Sequence, residues 1–559
     1  MSRTDAIPAP KGPPRPLSER LLGGAAFVIG LALALPVLTI IFLAFTPTEN
    51  VWPHLISTVL PGYVLRTLAL MAGVGLITFV VGTATAWLVT MCRFPLRPLF
   101  AWASLLPLAM PGYIVAYAYV DFLSYAGPFQ TWLREIFGWT RPSDYWFPEI
   151  RSLGGAIFVL SMVLYPYVFL TARASFIRQP ATQLEVARAL GRSPWGAFRN
   201  VALPLARPGI AVGVSLALME CLNDIGAAGF FGVQTLTLGV YTTWLSQGNL
   251  GGAAQISVVM LLFIFVLVWI ERSARRKQSF VLPAQRPRQP DRIRLNGWQR
   301  VLAVIVCAVP ILIGFVVPAL VLMSFAVSRL EDALSVTYLK AVYHSLLLAG
   351  LAAGFAVALG LVLGYANRAL RSRVTGQIIR VASMGYAIPG TVLGIGVLIP
   401  LAGFDNALDG FLRENFGIST GLLLSGSIAA VIFAYVVRFL AVSFGAIESG
   451  LQKVTPNVAA AARTLGRGPI SAFFEVHLPL LRPALVAAGL LVFVDCMKEL
   501  PATLILRPFD FETLATSVFM LASLGELEQS ALPALTIVAA GLLPVILLSR
   551  SLHEPHITS

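Results

Sequence analysis

Charge is scarce in this sequence. Asp, Glu, Lys and Arg make up 12% of the 559 residues, 57% are apolar, and the mean hydropathy is +0.81. Soluble domains carry about 25% charged residues, so a soluble globular protein is excluded. The apolar runs are continuous rather than alternating, which excludes a membrane β-barrel. There are four cysteines (Cys92, Cys221, Cys307 and Cys496), and none forms a CxxC pair. Disulfides and a thiolate metal site are therefore not expected. Five histidines are scattered without an HExxH. Of the five lysines none follows a glycine, so the phosphate-binding G-x-x-x-x-G-K-[ST] loop is missing. The chain is expected to hold no cofactor and no established metal, and to perform no chemistry of its own.

Long apolar runs dominate what is present. A helix needs about 20 apolar residues to cross a bilayer. Twelve candidate spans lie near 22–46, 64–92, 99–125, 153–174, 209–231, 252–271, 301–328, 342–367, 380–402, 420–443, 484–507 and 529–549. The first is too long for a signal-peptide core and reads as a retained helix. Residues 1–20, rich in proline, read as a disordered cytoplasmic tail. Residues 272–300 carry nine Lys or Arg against one acid, Asp291. Arg93, Arg97, Arg368, Arg371, Arg373 and Arg380 fall in loops of the same side, while Asp144, Glu149, Glu331, Asp332, Asp405, Asp409 and Glu414 fall opposite. The positive-inside rule then places both termini in the cytoplasm. The arginines are spread over many loops, so no nucleic-acid partner is expected.

One polar island occurs twice. Residues 185–208 and 460–483, 275 apart, match without gaps at 14 of 24 positions. At similar offsets Pro111-Gly112 corresponds to Pro389-Gly390, and the segment from Leu133 to Gly138 to that from Leu412 to Gly417. The expected fold is all-α and membrane-integral, with two parallel six-helix repeats. Residues 21–274 form the first repeat, 275–294 a basic cytoplasmic linker, 295–551 the second repeat and 552–559 a tail. In the first island Thr182-Gln183-Leu184-Glu185 has the form of a capping box. In the second, Thr455 is the candidate cap. Gly191 and Gly466 fit helix stops, Ser193-Pro194 and Gly468-Pro469 a second start, and Pro204 and Pro479 its end. Ala187, Ala189 and Ala459 to Ala462 give a small helix surface suited to close docking of a soluble partner.

The spacing E-A-A, three residues, G, nine residues, a branched residue, x, L-P resembles the cytoplasmic EAA loop of permeases of binding-protein-dependent ABC importers. Glu185, Ala187, Gly191, Val201, Leu203 and Pro204 fall on it, with Val186 in place of the second Ala. Ala461, Ala462, Gly466, Val476, Leu478 and Pro479 fall on it again, with Ala460 in place of the Glu. The resemblance implies a type I importer permease fold in the bacterial inner membrane. It also implies two separate ATP-binding cassette subunits that carry the ATP, one docked on each loop. A periplasmic or lipid-anchored substrate-binding protein would deliver the cargo. The missing Glu makes the second dock chemically unlike the first.

Two related pairs of acids fall inside spans: Glu220 and Asp224, and Asp495 and Glu499 at the 275 offset. Residues four apart share a helix face. Glu220 and Asp495 stand roughly 18 Å along their helices at 1.5 Å per residue. Each such carboxylate costs on the order of 3 kcal/mol, so they are expected to face the interior. They either line a translocation path or pair with neighbours such as Lys498 or Arg507. Tyr113, Tyr117, Tyr119 and Asp121 are further candidates for lining the path, with packing the favoured reading. Asp495 to Pro508 with Thr513 to Thr516, and Asn223 to Gly226 with Phe231-Gly232, resemble the ferric-iron branch of these permeases. Thiamine, phosphonate or another small solute is the alternative cargo. A proton-coupled secondary transporter and a membrane-embedded enzyme are the rival classes.

Overall fold

A computed structural model describes residues 17–46, 52–179, 181–276, 292–370, 372–454, 464, 471 and 473–551. Residues 1–16, most of the linker and the C-terminal tail lie outside the described residues, and residues 17–20, expected to belong to the disordered tail, are already helical. Among the described residues eleven helices are long and apolar enough to cross a membrane, or twelve where one bent pair counts as a single span. The helices of the first half are α1 (Leu17–Phe45), α2 (Leu60–Met91), α3 (Arg97–Ala103), α4 (Gly112–Leu123), α5 (Pro128–Phe137) and α6 (Leu153–Ile177), of which α3 to α5 are short. Next come α7 (Ala181–Ala189), α8 (Pro194–Ala197), α9 (Leu203–Asn223), α10 (Ile225–Phe230) and α11 (Leu250–Arg276). The second half runs α12 (Trp298–Ile311), α13 (Val317–Ser328), α14 (Val336–Leu370), α15 (Arg373–Ala382), α16 (Gly390–Phe416) and α17 (Ile428–Lys453). It ends with α18 (Leu478–Met497), α19 (Pro501–Leu506), α20 (Leu514–Ser523) and α21 (Leu527–Ser551).

Local chemistry repeats with the sequence. Ser152 caps α6 by accepting from the Gly155 amide at 3.1 Å, and Ser427 caps α17 by accepting from the Ala429 amide at 3.3 Å. Gly138 and Gly417, both at φ +68°, end α5 and α16 in the left-handed conformation that glycine adopts without a Cβ clash. Each half centres on a matching helix triplet: α2, α6 and α9 in the first, and α14, α17 and α18 in the second.

The halves are interlocked. Helix α1 packs on α14, α15 and α16 of the second half as well as on α11 of its own. Helices α12 and α13 cross the other way, onto α2, α4 and α6, while also packing on α21. Glycines make the crossing close: a Cβ on Gly396 would collide with the carbonyl oxygen of Pro36, and one on Gly314 with that of Met162. In a bilayer, where tails are as apolar as leucine, such small-residue contacts hold helices together. A two-residue parallel pairing, Cys92–Arg93 with Ile293–Arg294, ties the end of the linker to the end of α2.

Several expected spans are interrupted. The span expected near 99–125 bends by 89° between Arg97–Ala109 and Gly112–Phe137. Pro111, with ψ 141°, stands at the break, and Pro389, with ψ 144°, stands before α16. A proline cannot donate to the preceding turn and clashes with it. The expected spans 209–231 and 484–507 also stop early, at Asn223 and Met497, and short helices resume after them. Pro204 and Pro479, expected to end a loop helix, do not. Both follow a five-residue π-helical segment, Phe198–Ala202 or Phe473–His477, and the chain continues into α9 or α18. The wider π turn spares the hydrogen bond that a proline cannot make.

Candidate functional site

A cavity of about 90 Å³ lies between the halves, and all four sequence-predicted acids line it. The structure corrects how they are presented. Glu220 sits in α9, and its Oε1 accepts from the Tyr386 hydroxyl of the other half at 2.9 Å. Asp224 does not share that helix face, because α9 has already ended. Its backbone (φ −81°, ψ 89°) turns the chain, and its Oδ1 caps α10 by accepting from the Ala227 amide at 2.8 Å. Likewise Asp495 belongs to α18, whereas Glu499 lies past its end. Asp is a favoured helix cap, which fits the break at Asp224, and in the second half Pro501 starts the next helix just after the break.

The pairing partners separate the two halves. Asp495 Oδ1 meets Lys498 Nζ at 2.9 Å, as the sequence suggested. Arg507 instead pairs with Glu512. Glu499, 4% exposed, accepts from Nη1 of Arg438, itself 4% exposed, at 2.7 Å. The same Nη1 donates to Asn223 Oδ1 of the first half at 3.0 Å, and the Gly390 amide donates to that oxygen at 2.8 Å. A Cβ on Gly112 would strike Asp224, and one on Gly390 would strike Glu499. The two Pro-Gly pairs therefore bring α4 and α16 against the two acids.

Arg438 and Tyr386 are not singled out by the sequence, and Asn223 only as part of the segment Asn223 to Gly226. The signal for Arg438 was present: a lone arginine within the apolar run of α17 costs enough to imply a buried partner. Tyr113 also lines the cavity. Tyr117 is buried in the core, and Tyr119 donates to the Ile313 carbonyl at 2.8 Å, so both pack as expected. Asp121 is half-buried. Among the described residues no three His, Cys, Asp or Glu converge as a metal-holding group.

The repeated loop is described in its first copy. Helix α7 begins at Ala181, so Thr182 lies within its first turn rather than capping it. Glu185 is exposed. Ala187 is buried in the hydrophobic core and not on the docking surface that its small size suggested. Gly191, at φ +78°, makes the predicted turn. Ser193 caps α8, its Oγ accepting from the Gly196 amide at 3.1 Å. Leu203 and Pro204 are half-buried, while Val186, Leu190 and Trp195 are exposed. An open groove of about 500 Å³ runs beside Thr182, Gln183, Val186, Asn200, Val201 and Pro204. In the second copy Leu478 is half-buried and Pro479 exposed, whereas Thr455, Ala461, Ala462, Gly466, Gly468 and Pro469 lie outside the described residues.

Residues 78–279 match the family described as binding-protein-dependent transport system inner membrane component. The chain is an ABC importer permease component. The permease is 26% identical over 529 residues to the Fe(3+)-transport system permease protein FbpB 2 of Haemophilus influenzae, covering 94% of this chain and 96% of that one. It is 21% identical over 530 residues to the ferric transport system permease protein FbpB of Actinobacillus pleuropneumoniae, covering 88% and 73%. The molybdenum transport system permease protein ModB of Escherichia coli is 26% identical over 206 residues, 35% of this chain and 86% of the relative. The length and the repeat fit a fused, two-half permease. A proton-coupled secondary transporter and a membrane enzyme give way to this assignment.

Proposed function

We propose that this permease carries ferric iron, released by a periplasmic binding protein, across the inner membrane between its two halves. The observation that carries this reading is similarity over 94% of the chain to a ferric permease of the same two-half length. The cavity adds chemical support: it lies between the halves and is lined by more acids than bases. Two ATP-binding subunits dock on the loops built around Gly191 and Gly466, with both termini on that cytoplasmic side. Their closure rocks the halves and opens the cavity alternately outward and inward. ATP is bound by those subunits and not by this chain.

The test is uptake of radiolabelled ferric iron by cells with and without the permease, and with a Gly191→Asp, Gly466→Asp double variant. Iron accumulation should need the permease, collapse in the double variant and survive an uncoupler. Accumulation independent of the permease would overturn the iron assignment, and thiamine and phosphonate would be tested next.

A further inference from the structure

The repeat makes Asp224 the counterpart of Glu499, and Glu220 that of Asp495. The structure gives these counterparts different surroundings. Both second-half acids are neutralised, Glu499 by Arg438 and Asp495 by Lys498. At the 275 offset the first half has Val163 in place of Arg438 and Asn223 in place of Lys498. Among the described residues neither Glu220 nor Asp224 forms an ion pair. Glu220 has the Tyr386 hydroxyl and Asp224 the Ala227 amide. Four acids against two bases leave the cavity with a formal excess of two negative charges.

A second observation points to an occupant. Tyr113, 4% exposed, lines the same cavity, and its hydroxyl has no hydrogen-bond partner among the described residues. Leaving such a group unsatisfied costs roughly 1–3 kcal/mol, and an uncompensated buried carboxylate costs more. A bound cation offsets both.

We propose that a cation in transit is held by Asp224, assisted by Glu220 and the Tyr113 hydroxyl, and that Asp495 and Glu499 serve as fixed partners of Lys498 and Arg438. This rests on the reading of the cavity as part of an iron importer's path. The ligand class is a small, oxygen-seeking cation, because carboxylates and a phenol present only oxygen. A volume of about 90 Å³ has room for an ion with a few waters. Two carboxylates do not make a closed cage, and that suits a passing ion, which must bind weakly enough to leave.

Asp224→Asn is the discriminating variant, since Asn caps a helix as well as Asp and only the charge is removed. The complete importer, reconstituted with its ATPase and binding protein, is assayed for ferric iron transport and ATP hydrolysis together. The expected result for Asp224→Asn is about tenfold less iron moved per ATP, a discrimination of one decade, with binding-protein-stimulated hydrolysis retained. Asp224→Glu should restore part of the transport, and its preference between ferric iron and gallium(III) should shift. Glu499→Gln should lower thermal stability and hydrolysis together, leaving iron per ATP unchanged. Normal iron per ATP in Asp224→Asn, or loss of iron per ATP confined to Glu499→Gln, overturns the inference. A wild-type importer that moves no iron overturns the iron reading itself.

Discussion

Asn223 of the first half and Arg438 of the second meet in the buried centre of the protein, guanidinium to amide oxygen at 3.0 Å. That oxygen also accepts from the Gly390 amide, so one side chain of α9 is joined to both α16 and α17. The same guanidinium neutralises Glu499. The junction between the halves and the internal charge balance are therefore one network.

Arg438→Met leaves Glu499 as an uncompensated buried charge. Breaking such a pair costs about 3–5 kcal/mol. Thermal unfolding of the purified permease in detergent should shift down clearly. The double variant with Glu499→Gln should recover part of the loss, because the charge that was stranded has gone. Melting of Arg438→Met within error of wild type would show that the pair contributes no stability.

Gly396→Leu drives a side chain into the Pro36 backbone and prises α1 from the second half. Overpacking of this kind costs about 1–3 kcal/mol. Amide hydrogen exchange should rise along α1 while α6 and α9 stay protected. Unchanged exchange in α1 would mean that the interlock does not depend on this contact.

Gly191→Val places a β-branched residue at φ +78°, where no neighbouring atom obstructs a side chain and only backbone strain opposes it. The left-handed conformation costs roughly 1–2 kcal/mol for an ordinary residue, while Asn enters it more readily. Recovery of the ATPase subunit with the permease should fall in Gly191→Val and persist in Gly191→Asn. Equal loss in both would assign the effect to side-chain bulk at the dock.

Asp144 lies in the loop between α5 and α6, outside the spans. The amides of Arg141 and Thr140, each 2.9 Å from its Oδ2, hold its carboxyl below the usual carboxylate range. A lowered folded-state value stabilises the loop above the unfolded value, about 3.9 for Asp. That contribution is lost as pH falls through the folded value. The stack of Trp139 on Tyr145, 4.7 Å between centroids, should loosen on acidification below about pH 4. Trp139 fluorescence should report the change, and Asp144→Asn should abolish its pH dependence.

Much of this was legible in the residues. The duplicated island gave the two halves, Gly191 gave its turn, and the four intramembrane acids gave the cavity, because burying unpaired charge in hydrocarbon is too costly to be incidental. Apolar length alone does not tell an unbroken helix from one interrupted at a cap or widened to a π turn, so the sequence suggests one helix face for Glu220 and Asp224 and a helix end at Pro204. Ala187 has a separate cause, because a small side chain serves burial and exposure equally well.

By itself the sequence determined that the chain enters the membrane through many apolar helices and that it is built twice over. These follow from hydropathy and spacing, which are local properties. Only the tertiary structure decided that α1 crosses to the second half, that Arg438 reaches Glu499 and Asn223, and that Asp224 has no ion-pair partner among the described residues. Those outcomes depend on which helices touch, and two halves of similar sequence become unequal through one arginine whose partners are 61 and 215 residues away.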